Sequence, residues 1–517
     1  MRKLLAGAAA LILAATLVTP TTADAALDEV NTKKLRNAVT VNNILKHTRE
    51  FQKIANANGG TRASGTPGHT ASANYVARTL RKAGYKVKLQ EFTFPFFRDL
   101  EPAALSQLTP TATDFETQSF TYSGSGDVSG QIKATNDIVI PPAAEPSSTS
   151  GCEAADFAPA PTEPAIALIQ RGTCTFEVKV DNAVAAGYDA VIIFNEGQDG
   201  RQELLTGTLG APKSVPVVGL SFADGAALYA AIQAGPVTGR AFTSVEVDPE
   251  RKTVNVIADS PAGKKKEIVV VGAHLDSVVE GPGINDNGSG SATILEIAKQ
   301  MSALGLNDKL QRQVRFAFWG AEENGLLGSE HYVDSLTSRQ LARHYANLNF
   351  DMVGSPNYVR FVYDGDGSLD PDDPDLAGPP GSAQIEKLFN SYFAGQGLAT
   401  EPTAFDGRSD YGPFIAVGIP AGGLFTGAEE IKTRKQAKIF GGTAGVAYDR
   451  CYHQACDTMN NLNTKALNEM GDAAAHAVLT LARSKSGLFE DSSGVSNTKL
   501  RKATKAAPAA SGHQAVR

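Results

Sequence analysis

Three apolar runs in this chain each end at a residue that can bind a metal or move a proton. The run 268–273 stops at His274, with Asp276 two residues on. The run 314–319 leads to Glu322-Glu323, and 346–350 leads to Asp351. Between the first two lies Gly283-Ile284-Asn285-Asp286-Asn287-Gly288, and His453 arrives from a later segment. Imidazole with carboxylate is a donor set suited to zinc and less so to magnesium or calcium. Two adjacent glutamates allow one to bind metal while its neighbour stays free as a base. Two metals need a bridging ligand, and a carboxylate such as Asp286 suits that role. A catalytic zinc keeps an open position for water and lowers that water's pKa toward neutrality. Taken singly, each residue has a plainer reading. Asp286 sits in a turn-forming stretch, Glu322 and Glu323 fit the acidic first turn of a helix, and a lone His or Asp after a strand is usually a cap. Three strand ends that each carry a ligand-type residue favour the metal reading.

The elements that must position these residues follow from periodicity. Ile268–Val271 is a continuous apolar strand of the buried type. Ile294, Ile297, Ala298 and Met301 then recur on one helical face. Strands alternating with helices predict an α/β fold, a mainly parallel mixed sheet sandwiched by helices. In such a sheet the carboxyl ends share one edge, where ligands bind, so distant residues converge without any loop path being known. Residues 27–125 mix helix and strand patterns. Val76, Leu80 and Ala83 recur at helical spacing before Gly84, and 86–94 alternate like a strand. From about 126 to 249 the composition changes. Pro and Ser cluster between 141 and 164, short strands are expected at 165–169, 190–194 and 215–220, and a helix at 177–186.

Arg2 and Lys3, the uncharged apolar stretch Leu4–Val18, and Ala23-Asp24-Ala25 read as a secretory signal peptide over 1–26. The apolar stretch is short for a bilayer span, no cysteine stands near the cleavage site to accept a lipid, and no later segment resembles a membrane anchor. The expectation is a secreted protein. The four cysteines, Cys152, Cys174, Cys451 and Cys456, then suggest two disulfides. Three pairings are possible, and closeness in sequence favours Cys152–Cys174 and Cys451–Cys456. The net charge of −7 gives no reason to expect a nucleic-acid partner. The Ser/Ala/Lys-rich tail 486–517 reads as disordered.

Several ordered segments resemble the M28 zinc aminopeptidases. They are Gly272-Ala273-His274-Leu275-Asp276-Ser277, Gly283 to Gly290, Phe318 to Ser329, Asn349 to Gly354, Gly407-Arg408-Ser409-Asp410, Cys451-Tyr452-His453, and the stretch Gly59–Gly84 with Thr61-Arg62, Gly65, Gly68 and Tyr75. The resemblance implies two Zn²⁺ per chain. His274 and Asp351 match the ligands of one, Glu323 and His453 those of the other, and Asp286 the bridge. It also implies Glu322 as general base, Tyr452 as stabiliser of the oxyanion, and Asp276 as the group orienting His274. Arg408 is the candidate substrate contact. Peptides with a free amino end, led by large apolar residues such as Leu, are the implied substrates. Arg171-Gly172-Thr173-Cys174-Thr175-Phe176, Lys179, Ala183, Ala186-Gly187 and Ala190–Asn195 resemble a protease-associated (PA) domain, a β-rich insert without catalytic residues. The catalytic domain would then be discontinuous, 27–125 with 250–485, around a PA domain at 126–249. Two other functions fit the same fold: a carboxypeptidase or dipeptidase, which would need extra arginines for a substrate carboxylate, and a receptor-like binding protein that has lost its ligands. Asp364-Gly365-Asp366-Gly367-Ser368 with Asp370 and Asp372 begins like a Ca²⁺ loop, but Leu369 stands where an EF-hand needs glycine, and a solvated acidic loop is the preferred reading. His47, His69, His331, His344, His476 and His513 have no ligand context.

Overall fold

The structure, a computed structural model, describes residues 27, 29–159, 163–372 and 376–489. The expected signal segment and the tail from 490 onward lie outside the described residues.

The strands are β1 (Lys86–Thr109), β2 (Thr113–Phe115), β3 (Gly126–Ala134), β4 (Ala165–Gln170), β5 (Ala190–Phe194), β6 (Val217–Leu220), β7 (Val237–Asp259), β8 (Lys264–His274), β9 (Arg312–Trp319), β10 (His344–Phe350), β11 (Phe361–Tyr363), β12 (Glu401–Thr403) and β13 (Ala421–Phe425). They form one 13-stranded sheet in the order β12-β11-β13-β10-β8-β9-β7-β3-β4-β5-β6, with β1 on β7 and β2 on β1. β13, β10, β8 and β9 run parallel, as do β3, β4, β5 and β6. The fold is therefore the expected helix-flanked α/β sheet. The sequence did not reveal how its halves join. β1 extends well past the expected 86–94 and pairs antiparallel along the length of β7. One end of β7 then pairs with β9 and the other with β3. The central block is thus hydrogen-bonded into the same sheet through this long two-stranded ribbon.

The local signals are those that begin helices. Thr40 and Thr66 accept from the Asn43 and His69 amides to cap helices Val41–Ala57 and Pro67–Lys82, and the second has proline in its first turn. Asn287 caps Gly288–Ala303 by accepting from Gly290. These helices and Thr464–Arg483 cover one face of β8, β9 and β10, where Val269, Val271, Val314, Phe316, Leu348 and Phe350 meet Ile294, Ile297, Leu467 and Val478. Each such aliphatic side chain, fully buried, contributes about 1.5–3 kcal/mol. Residues 27–85 therefore share a core with residues beyond 255. Trp319, Tyr332 and Phe414 fill the opposite face, and two further clusters pack either side of β4 and β5. Leu488, inside the stretch expected to be disordered, is buried, and Phe489 packs edge-on to Tyr345.

Candidate metal centre

The parallel strands bring their carboxyl ends to one edge. His274 is the last residue of β8, Asp351 follows β10 directly, and Glu322 and Glu323 lie in the turn after β9. The loop after His274 is held by Arg62, fully buried, which donates to the carbonyls of Leu275, Pro282 and Gly283. Gly283 has φ +58° and a Cβ there would lie 2.3 Å from the Asp286 carbonyl, so the turn into Asp286 needs glycine. Asp457 accepts from the Asn285 amide at 2.8 Å and the Asp286 amide at 2.9 Å. It follows directly on the Cys451–Cys456 disulfide, which closes the turn carrying Tyr452 and His453. The other disulfide is Cys152–Cys174.

Asp286 stands between the two histidines. Its Oδ1 is 3.2 Å from His274 Nε2 and its Oδ2 is 3.2 Å from His453 Nε2. Asp351 Oδ1 lies 3.2 Å from His274 Nε2, and Glu323 Oε2 lies 3.0 Å from His453 Nε2. Donor atoms about 2.0–2.1 Å from one tetrahedral zinc are roughly 3.3 Å apart, so each of these pairs has the spacing of atoms that share a cation. His274 with Asp286 and Glu323, or with Glu322 and Asp351, brings three ligand atoms within 4.8 Å of one another. The charge balance agrees. Asp276, Asp286, Glu322, Asp351 and Asp410 are all buried here, and Asp351 Oδ1 and Glu323 Oε1 have no hydrogen-bond partner. So many buried carboxylates are tolerable only beside positive charge. Burial pushes the Glu322 carboxyl well above its usual range and Glu323 up to about 7. Burial would lower His453, but Glu323 and Asp286 outweigh it and hold its imidazole up at about 11. The residues present fit a bound metal, and the mix of imidazole and carboxylate suits zinc.

Glu322 is set slightly back, its Oε2 3.8 Å from His274 Nε2, free of the close contacts that its neighbour Glu323 makes. The backbone is strained around these groups. Ala321, Met352 and His453 have φ of +52°, +46° and +56°, a region that costs a residue with a side chain about 1–3 kcal/mol. The first two sit beside Glu322 and Asp351. Asp276, expected to orient His274, lies beside it. Its backbone carbonyl is 3.3 Å from His274 Nδ1 and its carboxylate 3.6 Å away, while Oδ1 accepts from the Glu322 amide at 3.4 Å. Tyr452 lines the same pocket as the metal-type residues, with Met352, Tyr363, Ala404, Phe425 and Ala428 along an apolar wall. Arg408 also lines it, bonded to Tyr452, Glu429 and Glu430.

Three functional neighbours had no assigned role in the sequence. Ser409 donates to Asp351 Oδ2 at 2.5 Å and leaves Oδ1 facing His274. Asp457 and Arg62 hold the two sides of the Asp286 loop. Ser409 and Arg62 fall inside the quoted segments and Asp457 beside a cysteine, but no spacing rule says what they touch. In the Asp364 loop the Asp364 carboxylate is buried beside Glu386, while Asp366, Asp370 and Asp372 are exposed. Asp364 accepts from the Ser368 and Leu369 amides, and Glu386 from those of Gly365 and Asp366. With Asp366 they bring carboxylate oxygens within 4.8 Å of one another, and at Asp364 the loop is more buried than the solvated acidic loop expected from the sequence.

A parallel sheet that gathers imidazole and carboxylate groups at ligand spacing on its carboxyl edge is the arrangement of a metal-dependent hydrolase. The model for peptidase family M28 matches residues 255–478 and that for the PA domain matches residues 134–228. An aminopeptidase of Pseudomonas aeruginosa is 46% identical over 87% of this chain and 82% of its own. Leucine aminopeptidase 2 of Trichophyton equinum is 40% identical over 88% of this chain and 86% of its own. The structure of a zinc aminopeptidase from Bacillus subtilis superposes with a TM-score of 0.62 at 26% identity, covering 87% of this chain and 97% of that one. The chain belongs to peptidase family M28, with a PA domain preceding the matched peptidase segment.

Proposed function

We propose that this chain is a secreted two-zinc aminopeptidase that removes large apolar residues, leucine among them, from the amino ends of peptides. That it is a metallo-aminopeptidase follows from its family and relatives. The observation that carries the two-zinc reading is Asp286, whose two oxygens face two different histidines. His274, Asp286 and Asp351 would hold one zinc, and His453, Asp286 and Glu323 the other. Zinc in such a centre supplies a Lewis acid and a water acidified toward neutrality. Glu322 takes a proton on its carboxylate and returns it to the leaving amine. Tyr452 donates its hydroxyl proton to the carbonyl oxygen as that oxygen gains charge. The acidic floor near Glu322 and Asp351 suits a free ammonium, and the wall of Met352, Tyr363 and Phe425 suits an apolar side chain. The discontinuous catalytic domain, 27–125 with 250–485, around the central block 126–249 is part of this reading, supported by the core shared by residues 27–85 and those beyond 255. The leader-like residues 1–26 and the two disulfides support export, and no described helix is long and apolar enough to cross a membrane.

The carboxypeptidase alternative needs a free cation in the pocket. Among the described residues lining it, Arg408 is the one lysine or arginine, and it is paired with Glu429 and Glu430. Metal analysis together with a panel of aminoacyl-p-nitroanilides and their N-acetylated analogues tests the proposal. Two zinc ions per chain, with cleavage confined to free amino ends, are expected. Comparable turnover of the blocked substrates, or full activity with one zinc, would overturn it.

A further inference from the structure

We infer that Arg408 is a positioning residue for Tyr452 and not a substrate anchor. Arg408 Nη2 lies 3.2 Å from the Tyr452 hydroxyl oxygen. A guanidinium has only donors, so this bond runs from Arg408 to the tyrosine oxygen. The hydroxyl proton is thereby left for another acceptor, and the oxygen of a scissile carbonyl in the pocket is such a group. The ring of Tyr452 is held separately, stacked on His453 with centroids 3.9 Å apart and planes 24° apart. Ring and hydroxyl are thus fixed from two sides.

An arginine whose side chain is 40% exposed would ordinarily wander, but Arg408 is held at both ends. Glu429 takes Nη2 at 2.9 Å and Glu430 takes Nη1 at 3.4 Å. Its backbone amide donates to Asp406 Oδ1 at 3.0 Å, and that oxygen also accepts from the Tyr411 hydroxyl at 2.6 Å. Tyr411 accepts in turn from the Gly407 amide at 2.9 Å. The same loop presents Ser409 to Asp351, so one rigid turn serves Tyr452 on one side and the metal-type carboxylate on the other. With both glutamates and Tyr452 as partners, the guanidinium has little left to offer a substrate.

The inference rests on Tyr452 being the donor to the oxyanion, and a double-mutant cycle separates the two claims. Removing one oxyanion donor typically lowers kcat by about 10²–10³-fold, the loss expected for Tyr452→Phe. Arg408→Ala should lower kcat by about 10–100-fold with KM nearly unchanged. Arg408→Lys, which keeps one donor, should recover much of that loss. In the Tyr452→Phe background, Arg408→Ala should cost less than about 2-fold more, because its target is gone. An unimpaired Tyr452→Phe enzyme would remove the role of Tyr452, and the positioning role with it. A normal Tyr452→Phe loss combined with a KM effect of Arg408→Ala that persists in the double mutant would overturn the positioning role alone. Circular-dichroism melting of each variant identifies any loss that comes from misfolding, and Arg408→Lys supplies the measurement if Arg408→Ala does not fold.

Discussion

In the central block Lys179 is fully buried in the field of Asp137, Glu196, Asp156 and Glu153, with its ammonium bonded to the Ser150 carbonyl. In the following block His274 is as deeply buried, facing Asp286, Glu322 and Asp351, and no lysine is among the described residues lining its pocket. The two regions share an architecture of parallel strands alternating with helices. They differ in how buried charge is balanced. The central block answers most of its acids from within the chain: Glu196, for example, takes two backbone amides and Arg201, and Asp137 Oδ1 is the carboxylate oxygen left without a partner there among the described residues. The other region leaves more of them open at its sheet edge, on Asp276, Glu323, Asp351 and Asp410. A charge that the chain itself balances holds a structure together, whereas one left open asks for an ion from outside.

The largest expected effect is at Glu322. Glu322→Gln should lower kcat by about 10³-fold or more while the zinc content stays at the wild-type level. Near-normal turnover would place the base elsewhere. Metal removal sharpens the contrast further. Chelation should abolish activity and lower the melting temperature, because the open carboxylates lose their counter-charge. Limited proteolysis of the chelated protein should cut around residues 283–288 and 451–457 before it cuts 165–194, and the reverse order would break the comparison.

Each region also has one disulfide. On the chain-entropy estimate, the loop closed by Cys152–Cys174 is worth about 3 kcal/mol and the shorter Cys451–Cys456 loop about 2 kcal/mol. Replacing Cys152 and Cys174 by Ser should cost stability and leave kcat/KM within about 2-fold. Replacing Cys451 and Cys456 should cost less stability but about 10-fold in kcat/KM, since the turn holding His453 loosens. Denaturant melts and kinetics on both pairs check this, and equal kinetic effects would count against it.

The smallest effect is a pH response remote from the metals. His476 hydrogen-bonds Thr32 at 2.9 Å and stacks on Tyr392, and burial, helped by Arg36, pulls its pKa down to about 4. With a folded pKa below the unfolded value near 6.5, the unfolded chain binds the extra proton first as pH falls. Stability from this group is therefore complete above about pH 6.5 and drains away toward pH 4, by about 3 kcal/mol. His476→Gln should flatten that slope in urea titrations at the two pH values, and an unchanged slope would assign it to other groups.

Much of the centre was legible because it lies where apolar patterns stop. A buried strand must end, and a polar residue at its carboxyl end in a parallel sheet can face only one edge. That logic reached His274, Asp351 and the Glu322-Glu323 pair without any loop geometry. It did not reach Ser409 or Asp457. Their partners lie 58 and 171 residues away along the chain, and no periodicity links such positions. Arg408 shows the same limit: its segment placed it at the pocket, but only the fold showed that it faces Tyr452.

By itself the sequence determined the residue types of the metal centre, the alternation of strands and helices, and the closeness of each cysteine pair, because these depend on local pattern and short separations. The tertiary structure decided the rest. It made one continuous sheet of both blocks through the β1–β7 ribbon, turned the two oxygens of Asp286 toward different histidines, and committed Arg408 to Tyr452. These outcomes depend on which surfaces meet when the core closes, and long-range packing is a property of the whole chain.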